Sequence, residues 1–193
     1  VRYLNDPGEL GEFARTAVLL DEHFPGDPSL LAALLLNRRT LQPGEALHLT
    51  PGTMHAYLSG TGVEVMGSSD NVLRGGLTSK HIDAVSLVQV VDFTPDPMLT
   101  LSPDQEAPGL WHYAAGELAF ATWRIDTKPG RMTELPAELS GRILLVTDGE
   151  VGLSTGADEL VLQCGQSAFI RAGEQVHASG DGQAFMVATG MDA

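Results

Sequence analysis

An internal repeat constrains the fold of this chain more than any other feature of its sequence. Residues 41–60, LQPGEALHLTPGTMHAYLSG, align with residues 162–180, LQCGQSAFIRAGEQVHASG. In both copies two glycines stand eight residues apart, and a histidine, His55 or His177, follows the second glycine. Because repeated units in a sequence fold into repeated structural units, the two copies predict two domains of like fold.

The rest of the chain favours a mainly β fold. From Leu41 onward, short apolar runs such as GVEVM and RILLVTDG alternate with Gly, Pro, Ser and Asp, which is the spacing of all-β domains. A glycine turn followed by a strand that begins with an inward-pointing histidine resembles the second half-motif of the cupin fold. The resemblance implies tandem cupin barrels (double-stranded β-helices or jelly rolls) with a short α-helical segment at the N-terminus.

The first forty residues predict helices. Residues 8–20 combine good helix formers, and Asp27-Pro28 gives a second helix an N-cap followed by proline at the first helical position. The run SLLAALLL comes next and is apolar on nearly every side. We therefore expect the second helix to be buried and to end near Asn37.

The chain is expected to divide into four segments. A proline-rich stretch without a clear period marks a linker before the second strand-rich block. The predicted segments are 1–40 for the end of a helical domain, 41–93 for the C-terminal half of a catalytic cupin barrel, 94–110 for the linker, and 111–193 for a second, metal-free cupin barrel.

Composition and charge narrow the classes of partner. The formal net charge of -14 leaves no basic face for nucleic acid or an anionic membrane, so we expect neither as a partner. A hydrophobic share of 43% is typical of a globular protein, and no apolar run is long enough to span a bilayer. The start shows no signal peptide, and the single cysteine, Cys164, is expected to serve packing. These features predict a cytoplasmic protein without an internal disulfide.

The segment from Leu41 to Asp83 carries the most specific pattern in the chain. It contains, in order, a PGEA turn, a HAYLSG strand, an EVM strand and the loop SDNVLRGGLTSK, at residues 43–46, 55–60, 64–66 and 69–80. This order of motifs resembles the type I mannose-6-phosphate isomerases. Upstream, FPGDPSLLAALLLN is similar to the helical segment of that family. The abrupt start at Val1, without an initiator Met, agrees with the hypothesis that this is a C-terminal portion of such an enzyme.

The resemblance implies an aldose-ketose isomerase that interconverts mannose 6-phosphate and fructose 6-phosphate with one zinc ion. His55 matches a zinc-ligand histidine of the family. The other ligands of the family, a Gln, a His and a Glu, lie upstream of the helical segment, and this sequence has no such cluster before His55. His23 stands alone there and is expected to be an exposed helix-end residue. We therefore expect the chain by itself to bind zinc weakly or not at all, and to be inactive alone.

The resemblance also implies the residues that bind the sugar phosphate. Arg74 matches the catalytic arginine of the family. A guanidinium stays charged, so it can stabilise a developing enediolate or hold phosphate oxygens. The alternative for Arg74 is an ion pair with Asp70, which is also a candidate for a sugar hydroxyl. Lys80 offers a point charge for the phosphate. Tyr57 shares the strand face of His55, and Glu64 lies opposite its neighbouring valines, towards either ligand or solvent.

Two other classes of function stay open from the sequence. A cupin dioxygenase would use a histidine after such a turn with iron in place of zinc, but it would not explain the SDNVLRGGLTSK loop. A non-catalytic cupin that binds sugars or supports assembly fits the second barrel, because GRMTELPAELSG contains no histidine to partner His177. We therefore expect His177 to hold no metal.

Overall fold

The computed structural model describes residues 2–69, 72–95, 100–114 and 120–189. The chain divides into two compact units. The first unit contains residues 1–40, 49–61 and 69–98, and the second contains residues 41–48, 62–68 and 99–193. Each unit is described by itself below.

The described elements are mostly strands. In chain order they are α1 (Glu9–His23), α2 (Leu30–Ala33), β1 (Ala46–Leu47), α3 (Ala84–Val90), β2 (Thr100–Leu101), β3 (Asp104–Ala107), β4 (Leu110–His112), β5 (Phe120–Thr127), β6 (Thr133–Glu134), β7 (Arg142–Ser154), β8 (Glu159–Gln163), β9 (Ser167–Ile170) and β10 (His177–Thr189). The helices belong to the first unit and the strands to the second. The prediction of a mainly β chain with helices near its N-terminus is therefore confirmed.

The second unit contains a two-stranded sheet, β1-β2, and a larger antiparallel sheet of eight strands. The strands of the larger sheet follow the order β3-β4-β5-β10-β7-β8, while β6 pairs with β10 and β9 pairs with β7. The two longest strands, β7 and β10, lie side by side and carry much of the core. Among the described residues, the fully buried apolar side chains of the core are Ile125, Leu144, Val146, Val151, Ala178, Ala184 and Met186. Side chains at alternate positions of a strand share one face, which is why these apolar residues meet.

A bulge divides β7 into two halves. Gln183 of β10 pairs with Asp148, but the next residue, Ala184, pairs with Val146, so Thr147 is left without a partner in the register. One extra residue in a strand exchanges the faces of all the side chains beyond it. The buried positions of β7 accordingly change from even numbers, ending at Val146, to odd numbers, beginning at Val151.

The sequence repeat is also a repeat of local structure. In each copy both glycines occupy the third position of a four-residue turn, in which the fourth N–H donates to the first carbonyl and glycine adopts a positive φ. The turns are Gln42–Glu45, Thr50–Thr53, Gln163–Gln166 and Arg171–Glu174. In all but the second, the side chain of the last residue also accepts the N–H of the first residue. The same glycine spacing therefore gives the same turns in both copies.

The expectation for the second helix is wrong in three respects. The N-cap is Ser29 rather than Asp27, so Pro28 precedes the helix instead of occupying its first position. Helix α2 is a single turn that begins at Leu30 and ends at Ala33, well short of Asn37. Leu31 is 70% exposed and Leu35 is 87% exposed, whereas an all-apolar helix was expected to be buried. Burial needs a packing partner, and no described element of the first unit covers these two leucines.

Three strand assignments also differ from the sequence analysis. HAYLSG, at residues 55–60, forms no strand, so strand alternation does not place Tyr57 on the face of His55. GVEVM, at residues 62–66, forms no strand, because no described segment pairs with it to satisfy its backbone groups. Strands β2 and β3, in contrast, lie inside the stretch 94–110 that was expected to be a linker. Extended backbone there is stabilised by pairing with β1 and β4. The four segment boundaries themselves stay predictions.

Cys164 does not serve packing as expected. It occupies the second position of the turn Gln163–Gln166, and its side chain is exposed, with Sγ 3.1 Å from the Thr147 carbonyl oxygen. The turn directs this side chain outward, which the apolar character of cysteine does not predict. Among the described residues, none of the helices is both long enough and apolar enough to cross a membrane.

Candidate functional site

The turn Thr50–Thr53 sets the position of His55 in the first unit. The Thr53 N–H donates to the Thr50 carbonyl at 3.1 Å. Gly52 has a φ of 89°, the positive value that the third position of a type II turn requires. The Gly52 carbonyl in turn accepts the Asp92 N–H at 3.1 Å, which ties the turn to the chain that follows α3. The backbone that leads into His55 is therefore fixed from both sides.

The same turn prepares the imidazole of His55 as a ligand. Nδ1 lies 3.1 Å from the Thr53 carbonyl oxygen. A carbonyl can only accept, so Nδ1 is the donor in this contact, and the lone pair of a neutral ring would then lie on Nε2. His55 is exposed, and its ring meets that of Tyr57 edge to face at 6.1 Å. A backbone carbonyl that fixes the tautomer in this way is the usual support of a metal-binding histidine.

Gly52→Ala is expected to disturb His55 without unfolding the second unit. A left-handed φ costs a residue with a Cβ about 1–2 kcal/mol. The added Cβ would also lie 2.8 Å from the carbonyl oxygen of Val90, so the turn must shift. We expect the ¹⁵N resonances of the His55 imidazole, measured by NMR, to change from a single Nδ1–H tautomer to a mixture.

Gly173→Ala is the matched control for this substitution. Gly173 holds the equivalent position in the second copy with a φ of 70°, and no atom lies within 4 Å of its added Cβ. The control therefore carries the backbone strain without the collision, and it should leave the His55 resonances unchanged. Unchanged His55 resonances in Gly52→Ala would show that the turn does not control the imidazole.

The loop that carries Arg74 and Lys80 packs beside this turn. A Cβ added to Gly75 would lie 2.6 Å from Cε of Met54 and 3.8 Å from a methyl group of Leu87 on α3. Met54 directly precedes His55, and Gly75 directly follows Arg74. Only a glycine at position 75 lets the methionine approach so closely. The side chain of Met54, next to the candidate ligand, thus packs against Gly75, next to the candidate catalytic arginine.

The loop is also held at Leu77, which sequence analysis did not single out. Leu77 is the one non-glycine residue with a positive φ among the described residues, at 50°. Its N–H donates to Oδ2 of Asp27 at 3.2 Å and to Oγ of Ser29 at 3.0 Å. The side-chain and backbone hydrogen bonds from Ser29, with a smaller one from Leu77, lower the pKa of Asp27, although burial opposes the shift. Asp27, predicted as a helix cap, therefore anchors a distant loop.

The structure groups four of the predicted site residues in one unit. His55, Tyr57, Arg74 and Lys80 all belong to the first unit and all are exposed, Tyr57 to 75%. No ion pair joins Arg74 to another residue within the described ranges. The remaining candidate in this loop, Asp70, lies outside the described residues, so its suggested pairing with Arg74 stays a prediction.

Glu64 differs from the other candidates. It belongs to the second unit, it is exposed, and it lies in a segment without strand structure. The alternation that was used to orient Glu64 requires a paired strand, which residues 62–66 do not form; of the two directions left open, its exposure agrees with solvent. As expected, His23 is exposed at the end of α1, with Nδ1 2.8 Å from the Leu19 carbonyl oxygen, and His48 and His81 are exposed as well.

The PGEA turn has a structural role in the second unit. The Tyr113 hydroxyl donates to the Gly44 carbonyl at 2.9 Å, and burial raises the pKa of this phenol. A Cβ added to Gly44 would collide with the Arg124 guanidinium, which lies 5.1 Å from the centre of the Trp111 ring. Gly44 of the motif therefore lies against Arg124, and its carbonyl accepts a hydrogen bond from Tyr113.

The described residues do not form a complete zinc site. No cluster of three or more His, Cys, Asp or Glu side chains within the described ranges is arranged to hold a metal ion. A structural or catalytic zinc site takes three or four protein ligands. His55, an exposed residue whose Nδ1 contacts a backbone carbonyl, fits the role of one such ligand. No reaction step through zinc follows from the described residues alone.

Comparisons with known proteins agree with this framework. No protein-family model matches the chain. Mannose-6-phosphate isomerase of Salmonella typhimurium is 40% identical over 177 residues, which cover 90% of this chain and 44% of that protein. The human enzyme of the same name is 37% identical over 172 residues, covering 85% of this chain and 40% of that protein. The chain thus spans less than half the length of these curated relatives.

Solved structures extend the similarity to the fold. Mannose 6-phosphate isomerase from Salmonella typhimurium, bound to its substrate fructose 6-phosphate and to zinc, superposes with a TM-score of 0.74 at 34% identity. The match covers 98% of this chain and 52% of that one. A mutant of the same enzyme gives a TM-score of 0.78.

Fold and site together define a mainly antiparallel β protein in which a glycine turn presents a ligand-type histidine beside a cationic loop. Over most of its own length, the chain is similar at this level of identity to part of the mannose-6-phosphate isomerases.

Proposed function

We propose that this chain supplies part of the active site of a zinc-dependent isomerase that interconverts mannose 6-phosphate and fructose 6-phosphate. The observation that carries the proposal is the exposed imidazole of His55, which is oriented by its Nδ1 contact with the Thr53 carbonyl and lies in the same unit as the loop of Arg74 and Lys80. The Salmonella relative, which binds zinc and fructose 6-phosphate, supports the choice of cofactor and substrate class.

Each residue has a distinct role in this proposal. His55 contributes one ligand to zinc, and the part of the relatives that this chain does not span contributes the others. Arg74 stabilises the negative charge of the enediolate that forms when a proton moves between adjacent carbons. Lys80 and Tyr57 bind the sugar phosphate, and Asp70 and Glu64 remain candidate contacts to its hydroxyl groups. Zinc, when bound in such a site, would supply Lewis-acid chemistry.

Residues 41–93 are proposed to be the C-terminal half of a catalytic cupin barrel, and residues 111–193 a second cupin barrel without metal. The repeated glycine turns and the antiparallel sheet of the second unit support this fold. The absence of nucleic-acid partners is proposed from the acidic composition, and a cytoplasmic location from the single cysteine, which fits a reducing compartment.

A chimera tests the proposed function directly. In it, this chain replaces the matching segment of the Salmonella enzyme, so that the relative contributes the residues that the chain does not span. We expect zinc-dependent conversion of mannose 6-phosphate to fructose 6-phosphate, and loss of activity when a chelator removes zinc. A folded chimera that retains zinc but shows no turnover would contradict the proposal, and binding of fructose 6-phosphate without turnover would favour a non-catalytic sugar-binding module.

His55→Ala and His23→Ala provide the matched pair of variants for the chimera. Both histidines are exposed residues of the first unit with Nδ1 bonded to a backbone carbonyl, but only His55 is proposed to bind zinc. We expect His55→Ala to remove zinc and activity together, and His23→Ala to retain both. Equal zinc content in the two variants would exclude His55 as a ligand.

A further inference from the structure

We infer that Asp27 and Ser29 are positioning residues for the catalytic loop, because together they hold Leu77 in a left-handed conformation between Arg74 and Lys80. This inference rests on the proposed function of that loop. It concerns residues that touch neither substrate nor metal in the proposal and act only through the backbone of residues 75–77.

The conformation of Leu77 requires an external support. A φ of 50° is disfavoured for a side chain with a Cβ, and leucine cannot compensate with a local hydrogen bond as asparagine or aspartate can. Non-glycine residues persist in such conformations only where the surrounding structure fixes them, and these positions are concentrated at active sites. At Leu77 the support comes from two acceptors that converge on one N–H.

The support is itself well connected. Oδ1 of Asp27 accepts the Ser29 N–H at 2.9 Å and the Ser29 hydroxyl at 2.5 Å. This leaves Oδ2 of Asp27 and a lone pair of the Ser29 hydroxyl for the Leu77 N–H. A Cβ added to Gly76 would lie 2.0 Å from Oγ of Ser29, so the loop backbone lies directly against this hydroxyl.

The consequence for the site is geometric. Leu77 lies three residues from Arg74 and three from Lys80, and its backbone angles therefore set the relative direction of the two cations. The opposite end of the loop is fixed by the contact between Gly75 and Met54. Loss of the Asp27 and Ser29 contacts releases the loop at Leu77 but not at Gly75. The directions of the Arg74 and Lys80 side chains should then change, while His55 stays in place.

Limited trypsin digestion of the full 193-residue chain tests the anchor without any assay of activity. Trypsin cleaves after Arg74 and Lys80 when the loop opens locally. Loss of a hydrogen bond to a charged acceptor is expected to raise the population of the open loop about tenfold or more. We expect the double variant Asp27→Ala and Ser29→Ala to accelerate both cleavages about tenfold. Cleavage after Arg171, in the second unit, should not change, and unchanged rates at Arg74 and Lys80 would overturn the inference.

Faster cleavage after Arg15, within α1, would show that the double variant unfolds the first unit. Two further variants test the inference in that case. Asp27→Asn retains the size and one acceptor oxygen, and should accelerate loop cleavage while α1 stays protected. Ser29→Thr retains the hydroxyl and should preserve the native rates. Asp6→Asn is the control, because Asp6 also accepts a backbone N–H two residues later but has no contact with the loop.

Kinetics of the chimera separate a positioning role from a merely structural one. We expect Asp27→Asn to lower kcat about tenfold with zinc content unchanged, and Ser29→Thr to retain the native kcat. Faster cleavage in Asp27→Asn with unchanged kcat and KM would overturn the positioning role. A chimera that is inactive with native Asp27 and Ser29 would overturn the proposed function instead, and the cleavage rates alone would then decide whether the anchor exists.

Discussion

Arg142→Met is expected to lower the free energy of unfolding of the second unit by about 3–5 kcal/mol. Arg142 is 0% exposed, and its guanidinium donates to the backbone carbonyls of Pro136, Arg171 and Glu174. Methionine fills much of the same volume but leaves all three carbonyls without this donor, and a buried polar group without a partner costs about 1–3 kcal/mol. The loss is large because one side chain joins two loops to the start of β7.

Urea unfolding followed by tryptophan fluorescence measures this effect. The only tryptophans of the sequence, Trp111 and Trp123, are both in the second unit, so the signal reports on that unit. Arg171→Met is the matched control, since the Arg171 side chain is 80% exposed and the change should stay within about 0.5 kcal/mol. An Arg142→Met midpoint equal to that of the control would show that water or a local shift replaces the guanidinium.

Arg74→Ala is expected to reduce kcat of the chimera by about 100-fold or more, with zinc content unchanged. The proposed role of Arg74 is to meet negative charge that develops only in the transition state, so kcat should fall more than KM rises. The side chain is exposed and forms no ion pair with any residue in the described parts of the chain, so its removal should cost little stability.

Two variants define the meaning of this result. Arg74→Lys retains the charge but not the paired donors, and intermediate activity would indicate that bidentate geometry contributes. Arg2→Ala removes another exposed arginine of the same unit and should leave kcat unchanged. Turnover of Arg74→Ala equal to that of Arg2→Ala would remove Arg74 from the mechanism.

Local turn chemistry was open to prediction from the sequence. A proline or small residue followed by glycine at a fixed spacing predicts a turn with a positive φ at glycine, and Gly52 and Gly173 both adopt it. The same spacing identified His55, whose Nδ1 contacts a carbonyl only two residues away. The strands β7, β8 and β10 were also predictable, because alternating apolar residues specify a half-buried strand wherever a partner exists.

Interactions between residues distant in sequence were not open to prediction. Asp27 was assigned as a helix cap, and nothing local to it indicates that it binds Leu77, fifty residues away. Arg142 begins an apolar strand and gives no sign in the sequence that three carbonyls would enclose it. GVEVM has the composition of a strand but lacks a described partner.

By itself, the sequence determined where this chain turns, which histidine follows the turn and which family it resembles, because those properties depend on residues a few positions apart. Only the tertiary structure decided which arginine is buried, which aspartate anchors the cationic loop and which apolar segments are covered. The physical reason is that desolvation and hydrogen-bond partnership depend on neighbours in space, and the chain must fold before those neighbours are defined.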